Sequence, residues 1–104
     1  MAKYKPKFCL GQRIHHKLFK YHGVVVGVDE IFKSSEEWYE LVAKSCPPKD
    51  RPWYHVLVDG SEMQTYVAER NMEPDDSDAP INHPGVEFYF EGLGEDGYIP
   101  RRKG

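Results

Sequence analysis

The run Pro52-Trp53-Tyr54-His55-Val56-Leu57-Val58-Asp59-Gly60 alternates two sets of large side chains and ends on a turn dipeptide. Successive side chains of an extended chain point to opposite faces, so Tyr54, Val56 and Val58 share one face and Trp53, His55 and Leu57 the other. Asp59-Gly60 is a tight-turn signal, and residues 63–68, MQTYVA, pair back as the next strand of a hairpin. Upstream, Gly23-Val24-Val25-Val26-Gly27-Val28-Asp29 is a β-branched strand. Its Val24, Val26 and Val28 fall on one face. Gly23, Val25 and Gly27 fall on the other, where missing side chains permit a bend or close backbone approach. Before it, Ile14 and His16 lie on one side of an extended segment, and Arg13, His15 and Lys17 form a basic outer face.

Between these strands, residues 34–48 read SSEEWYELVAKSCPP. Ser34 and Glu37 have capping-box spacing, and Trp38, Leu41 and Val42 recur at i, i+3, i+4, so a short helix is expected over residues 34–45. Lys44 suits its negative end, and Pro47 and Pro48 stop it. After the hairpin, ERNMEP (69–74) reads as a terminal turn and residues 74–84 as a loop outside the core. The tail HPGVEFYFEGLG (83–94) fits both strand alternation and helical spacing. A short helix is favoured, because Pro84 suits a first turn and Gly92 or Gly94 a stop, with the aromatics docking the tail onto the core. The terminal RRKG is expected to fray.

The 104 residues are one domain's length, 39% hydrophobic and 30% charged, as in globular proteins. No apolar run approaches the roughly 18 residues of a membrane span. MAKYKPKF at the N-terminus lacks the apolar region of a secretory signal, so a cytoplasmic location is expected. Cys9 and Cys46 stand far apart with no CxxC partner, which suits reduced thiols. The net charge of −3 hides an asymmetry: residues 1–33 hold seven Lys or Arg against two carboxylates, and the remainder holds seven against fifteen. Such blocks suit a nucleic-acid-facing end, head-to-tail self-association, or a merely solvated surface.

The order of strand, Gly-Val strand, helical insertion and hairpin resembles the YccV-like or heat-shock protein HspQ family, which includes modules of some eukaryotic F-box proteins. Carrying the resemblance are Leu10-Gly11-Gln12, His16, Gly23-Val24-Val25, Pro52-Trp53-Tyr54-His55-Val56 and Thr65-Tyr66-Val67-Ala68-Glu69, spanning roughly residues 8–73. The tail, with HPGVEFYF and GYIP, looks more like that of the F-box-associated members. The resemblance implies an all-β fold, a small SH3-like, strongly bent β-barrel over about residues 8–73, with residues 74–104 packed outside in the same single domain. It also implies binding of hemimethylated DNA, or service as an adaptor or specificity factor in heat-shock-linked regulated proteolysis.

DNA binding needs cations placed against phosphates. The N-terminal lysines Lys3, Lys5 and Lys7 are candidates with Arg13, His15, Lys17 and Lys20, and Tyr21, His22, Trp53 and His55 are candidates near bases or sugars. No reading helix with an Arg or Asn pair is present. A protein-binding role needs only exposed aromatics or an open sheet edge. Trp38 and Tyr39, adjacent on a helix, are not expected to face one core together; either one is left for a protease, a protease substrate or a second copy of the chain, or both cover the hydrophobic rim of the sheet. Metal is not expected, since adjacent His15 and His16 point to opposite faces of a strand and a site from His16, His55 and Cys9 has no supporting spacing. Nor is a cofactor or catalysis expected: no phosphate loop, nucleophile elbow or metalloprotease helix occurs, and Cys9 lacks an orienting base.

Overall fold

The computed structural model describes residues 5–42, 46–77, 79–95 and 97–101. Its order is β1 (Arg13–His16), β2 (His22–Asp29), α1 (Glu36–Val42), β3 (Trp53–Val58), β4 (Gln64–Ala68), a 3-10 turn (Glu69–Asn71), β5 (Met72–Pro74), α2 (Val86–Tyr89), β6 (Phe90–Gly94) and β7 (Gly97–Pro100). The first five strands form an antiparallel sheet in the order β4-β3-β2-β1-β5, and β6-β7 is a separate hairpin. The expected mostly-β fold is thus present. The expected closed barrel is not: β4 and β5 are both edges of the sheet.

The sheet is nevertheless curled around one core. Ile14 of β1, Val25 of β2, Tyr54 and Val56 of β3, Val67 of β4 and Met72 of β5 meet in a single buried cluster with Phe8. A flat sheet would hold its two edge strands too far apart for Val67 and Met72 to share that cluster. A bulge between Val25 and Gly27 in β2 supplies part of the bend. It also corrects the expected alternation. Val24 and Val26 pack on the outer cluster as a period of two requires, but the extra residue moves Val28 onto the inner one with Val25.

The outer face is covered twice. Toward one end, Val24 and Leu57 are covered by Ile81, Phe90 and Tyr98, so the tail lies outside the sheet as expected. Its helix is only Val86–Tyr89; from Phe90 the alternation prevails and the chain forms β6. Gly11 is required at this junction. Its φ is +86°, its N–H donates to the Val25 carbonyl (2.9 Å), and the Tyr98 N–H donates to its own carbonyl (2.8 Å). A Cβ there would stand 2.0 Å from the Tyr98 oxygen.

Toward the other end, the insertion folds back on Trp53. Helix α1 is capped by Ser35, whose Oγ accepts the Trp38 N–H (3.1 Å), one residue later than the expected Ser34. Residues 43–45, including Lys44, lie outside the described residues, as do Lys3 and the terminal 102–104. Of the two readings of Trp38 and Tyr39, the contacts agree with the one in which both cover the rim: both rings pack on Phe32 (5.9 and 5.3 Å between centroids) and Trp53 (6.0 and 6.2 Å). The helix does not lie on a flat core here. Phe32, from the loop before the helix, contacts both rings.

Candidate nucleic-acid interface

His16 organises the segment that links β1 to β2. Its own strand buries it, and its Nδ1 accepts the N–H groups of Leu18 (3.1 Å) and Phe19 (3.0 Å). The ring is therefore neutral, with the proton on Nε2. Its stack on Phe19 (4.7 Å) and the bond from the Lys20 N–H to the His16 carbonyl (2.9 Å) close the turn. Lys20 takes the left-handed conformation (φ 59°) that this closure needs. Lys17 and Lys20, both expected to meet DNA, are presented to solvent on this fixed turn.

Lys17 lines a cavity of about 350 Å3 with Lys7, Arg51 and Arg70. Glu69 is the one carboxylate of that lining, and its Oε1 accepts the Tyr54 hydroxyl and the Lys7 N–H (2.8 Å). Lys7 and Lys17 belong to the basic N-terminal third, whereas Arg51 and Arg70 come from the acidic remainder and were not foreseen. The hairpin brings them together. β3 pairs with β4 in the register Trp53↔Ala68, and continuing that register two residues past the strand ends sets 51 opposite 70. The signal was present in the sequence, since Arg51 and Arg70 flank PWYHV and TYVAE symmetrically about the turn.

The other expected cations have different work. Arg13 Nη1 donates to the Ala79 carbonyl (3.0 Å), His15 Nδ1 lies 2.8 Å from Glu73 Oε2, and His22 Nδ1 lies 3.2 Å from Asp75 Oδ2. The two imidazoles lie 5.0 Å apart. These side chains hold β5 and the loop after it. Burial tends to raise the Asp75 carboxyl, but hydrogen bonds from Ser77 and the neighbouring His22 outweigh it and leave its pKa below the ordinary value.

The expected aromatic groups frame a second, larger cavity of about 610 Å3 along β4. Tyr21 is half-buried on its inner side with its hydroxyl 2.8 Å from Thr65 Oγ1, and burial raises its pKa. Trp53 is buried and donates from Nε1 to the Pro48 carbonyl (3.0 Å). His55 stacks on Tyr66 (4.6 Å), with Nε2 3.3 Å from Asp29 Oδ2. Tyr66 itself donates to that oxygen (2.7 Å), and burial together with the bond to Asp29 pushes its phenol well above the ordinary value. Of the partner-binding pair, Trp38 lines this cavity, and the Tyr39 hydroxyl donates to the carbonyl of Pro47, another lining residue. Cys9 and Cys46 are free and exposed. Among the described residues no helix is long and apolar enough to cross a membrane.

The family model for "Hemimethylated DNA-binding protein YccV like" matches residues 6–97 of the 104. That span takes in β1 to β6 and the first residue of β7, and with them the His16-pinned turn and all four cations of the smaller cavity. It describes a DNA-binding family, not a family of enzymes. The chain belongs to the YccV-like hemimethylated-DNA-binding family.

Proposed function

We propose that this chain binds hemimethylated duplex DNA, with Lys7, Lys17, Arg51 and Arg70 holding phosphate oxygens and Lys20 contacting the backbone from the adjoining turn. The single observation that carries the reading is the convergence of four cations from distant parts of the chain on one cavity beside a rigid turn. Phosphate contact is what such a cluster does best, because each cation that neutralises a phosphate releases condensed counterions. Leu18 and Phe19, between Lys17 and Lys20, are 52% and 67% exposed. Placed beside a phosphate-bound duplex, they supply the apolar contact that sensing a methyl group requires. A cytoplasmic location accords with two free, exposed thiols.

Neutralising different cations separates this interface from the one that alternation alone suggested. With five phosphate contacts, four from the cavity and one from Lys20, the slope of log K against log salt should be about −4.5. Replacing Arg51 and Arg70 by Gln should reduce that slope by about 2, while Arg13→Gln, whose guanidinium holds the Ala79 carbonyl, should leave it unchanged. A slope that falls with Arg13→Gln and not with the pair would place the DNA on the β1 face instead.

A further inference from the structure

We propose that the larger cavity is a docking groove for an extended peptide that adds as a strand to the free edge of β4 and carries acidic residues at one end. The Val58 N–H donates to the Met63 carbonyl and the Glu69 N–H to the Pro52 carbonyl, both at 3.1 Å. Hydrogen-bonded pairs alternate along an antiparallel ladder, so Thr65 and Val67 bond β3, and the backbone groups of Gln64, Tyr66 and Ala68 point the other way. No other described strand lies on that side. Such a row of outward N–H and C=O groups is a template for one more strand.

The walls suit a peptide rather than a bare strand. On the inner side of β4 stand Phe19 and Tyr21; on the outer side stand Trp38 and His55. Met63, at the beginning of the edge, is 61% exposed. An added strand would send alternate side chains to these two apolar walls. Charge settles the rest of the occupant's chemistry. At the Ala68 end the groove runs into the cavity of Lys7, Lys17, Arg51 and Arg70, since Ala68 lines both. A carboxylate at that end of the peptide meets Lys7, Lys17, Arg70 and Arg51, the last already beside Asp50 (Nε to Oδ1, 3.7 Å), and the already engaged Glu69. The groove does not depend on the DNA reading, although both ligands would use Lys7, Lys17, Arg51 and Arg70.

Panning a displayed library of random octapeptides against the full chain, in buffer without DNA, tests it. The expected result is enrichment of sequences with apolar residues at every second position and Asp or Glu at one end. A fluorescein-labelled copy of an enriched sequence should bind saturably and slow hydrogen exchange at the amides of Gln64, Tyr66 and Ala68. Gln64→Pro removes an outward N–H that β3 does not use, and should weaken the labelled peptide about tenfold. Phe19→Ala, at an exposed side chain, should weaken it about threefold and serves if the proline variant does not fold. Arg70→Glu should weaken acidic-ended peptides and spare neutral-ended ones. No enrichment, or binding that leaves the three amides unprotected, overturns the proposal. So does protection of those amides by a second copy of the chain or by a DNA duplex in place of the peptide.

Discussion

The Tyr54 hydroxyl donates to Glu69 and accepts the N–H groups of Lys7 (3.1 Å) and Phe8 (3.3 Å), so one phenol joins the inner core to the basic cavity. Burial, reinforced by the bond to the Glu69 carboxylate, pushes the phenol pKa well above the ordinary tyrosine value. Without that hydroxyl the Phe8 N–H loses its acceptor, and of these hydrogen bonds the Lys7 segment keeps only the one to Glu69.

Tyr54→Phe therefore costs about 1–3 kcal/mol, the penalty for buried groups left unpaired. For a domain of this size each kcal/mol lowers Tm by roughly 4–8 °C. DNA affinity should fall as well, since Lys7 is no longer fixed at the cavity. Thermal unfolding followed by circular dichroism checks the first expectation; an unchanged Tm would mean that water replaces the phenol at no cost.

Gly11→Ala acts at the opposite end. The left-handed backbone costs a residue with a Cβ about 1–3 kcal/mol, and the 2.0 Å approach to the Tyr98 oxygen adds displacement of β7. The tail should detach before the five-stranded sheet melts. Limited proteolysis is expected to cut the variant between residues 74 and 101 under conditions in which the parent chain resists. Equal resistance would show that the tail tolerates the shift.

His16 makes the fold sensitive to mild acid. Burial, followed by repulsion from His15, lowers its pKa below 6.5 in the folded chain. Below pH 6.5 the unfolded chain takes up a proton that the folded chain resists, so stability falls with pH until the folded value is passed. Asp75 acts in the same direction in a lower window, beginning near pH 3.8, because its folded pKa is depressed. His16→Asn keeps an acceptor for the Leu18 and Phe19 N–H groups and removes the imidazole. It should flatten the stability profile below pH 6.5 and leave the lower window intact; chemical denaturation at pH 5 and pH 7.5 measures it.

Much of the sheet was legible in the sequence because a half-buried strand must alternate. Ile14 and His16 face inward, Arg13 and His15 outward, and β3 divides Tyr54 and Val56 from Trp53 and Leu57. Alternation fails where a residue is inserted, which is why Val28 lies on the inner face. It also reports a side chain's face without its partner. Arg13, His15 and His22 do face outward, but the acidic stretch that looks like a free loop returns to supply Glu73 and Asp75. Arg51 and Arg70 required the length of the β3–β4 turn, since a two-residue turn would have set different residues opposite each other. Trp38 and Tyr39 share a cluster because both rings reach Phe32, a contact that no local pattern encodes.

The most direct test of the central claim is fluorescence anisotropy of labelled hemimethylated, fully methylated and unmethylated duplexes of one sequence across a salt series. Tightest binding to the hemimethylated duplex is expected, with a log–log salt slope of about −4.5 that neutralising Arg51 and Arg70 reduces by about 2. Weak binding at physiological salt, the same for all three duplexes and unmoved by those substitutions, would contradict it.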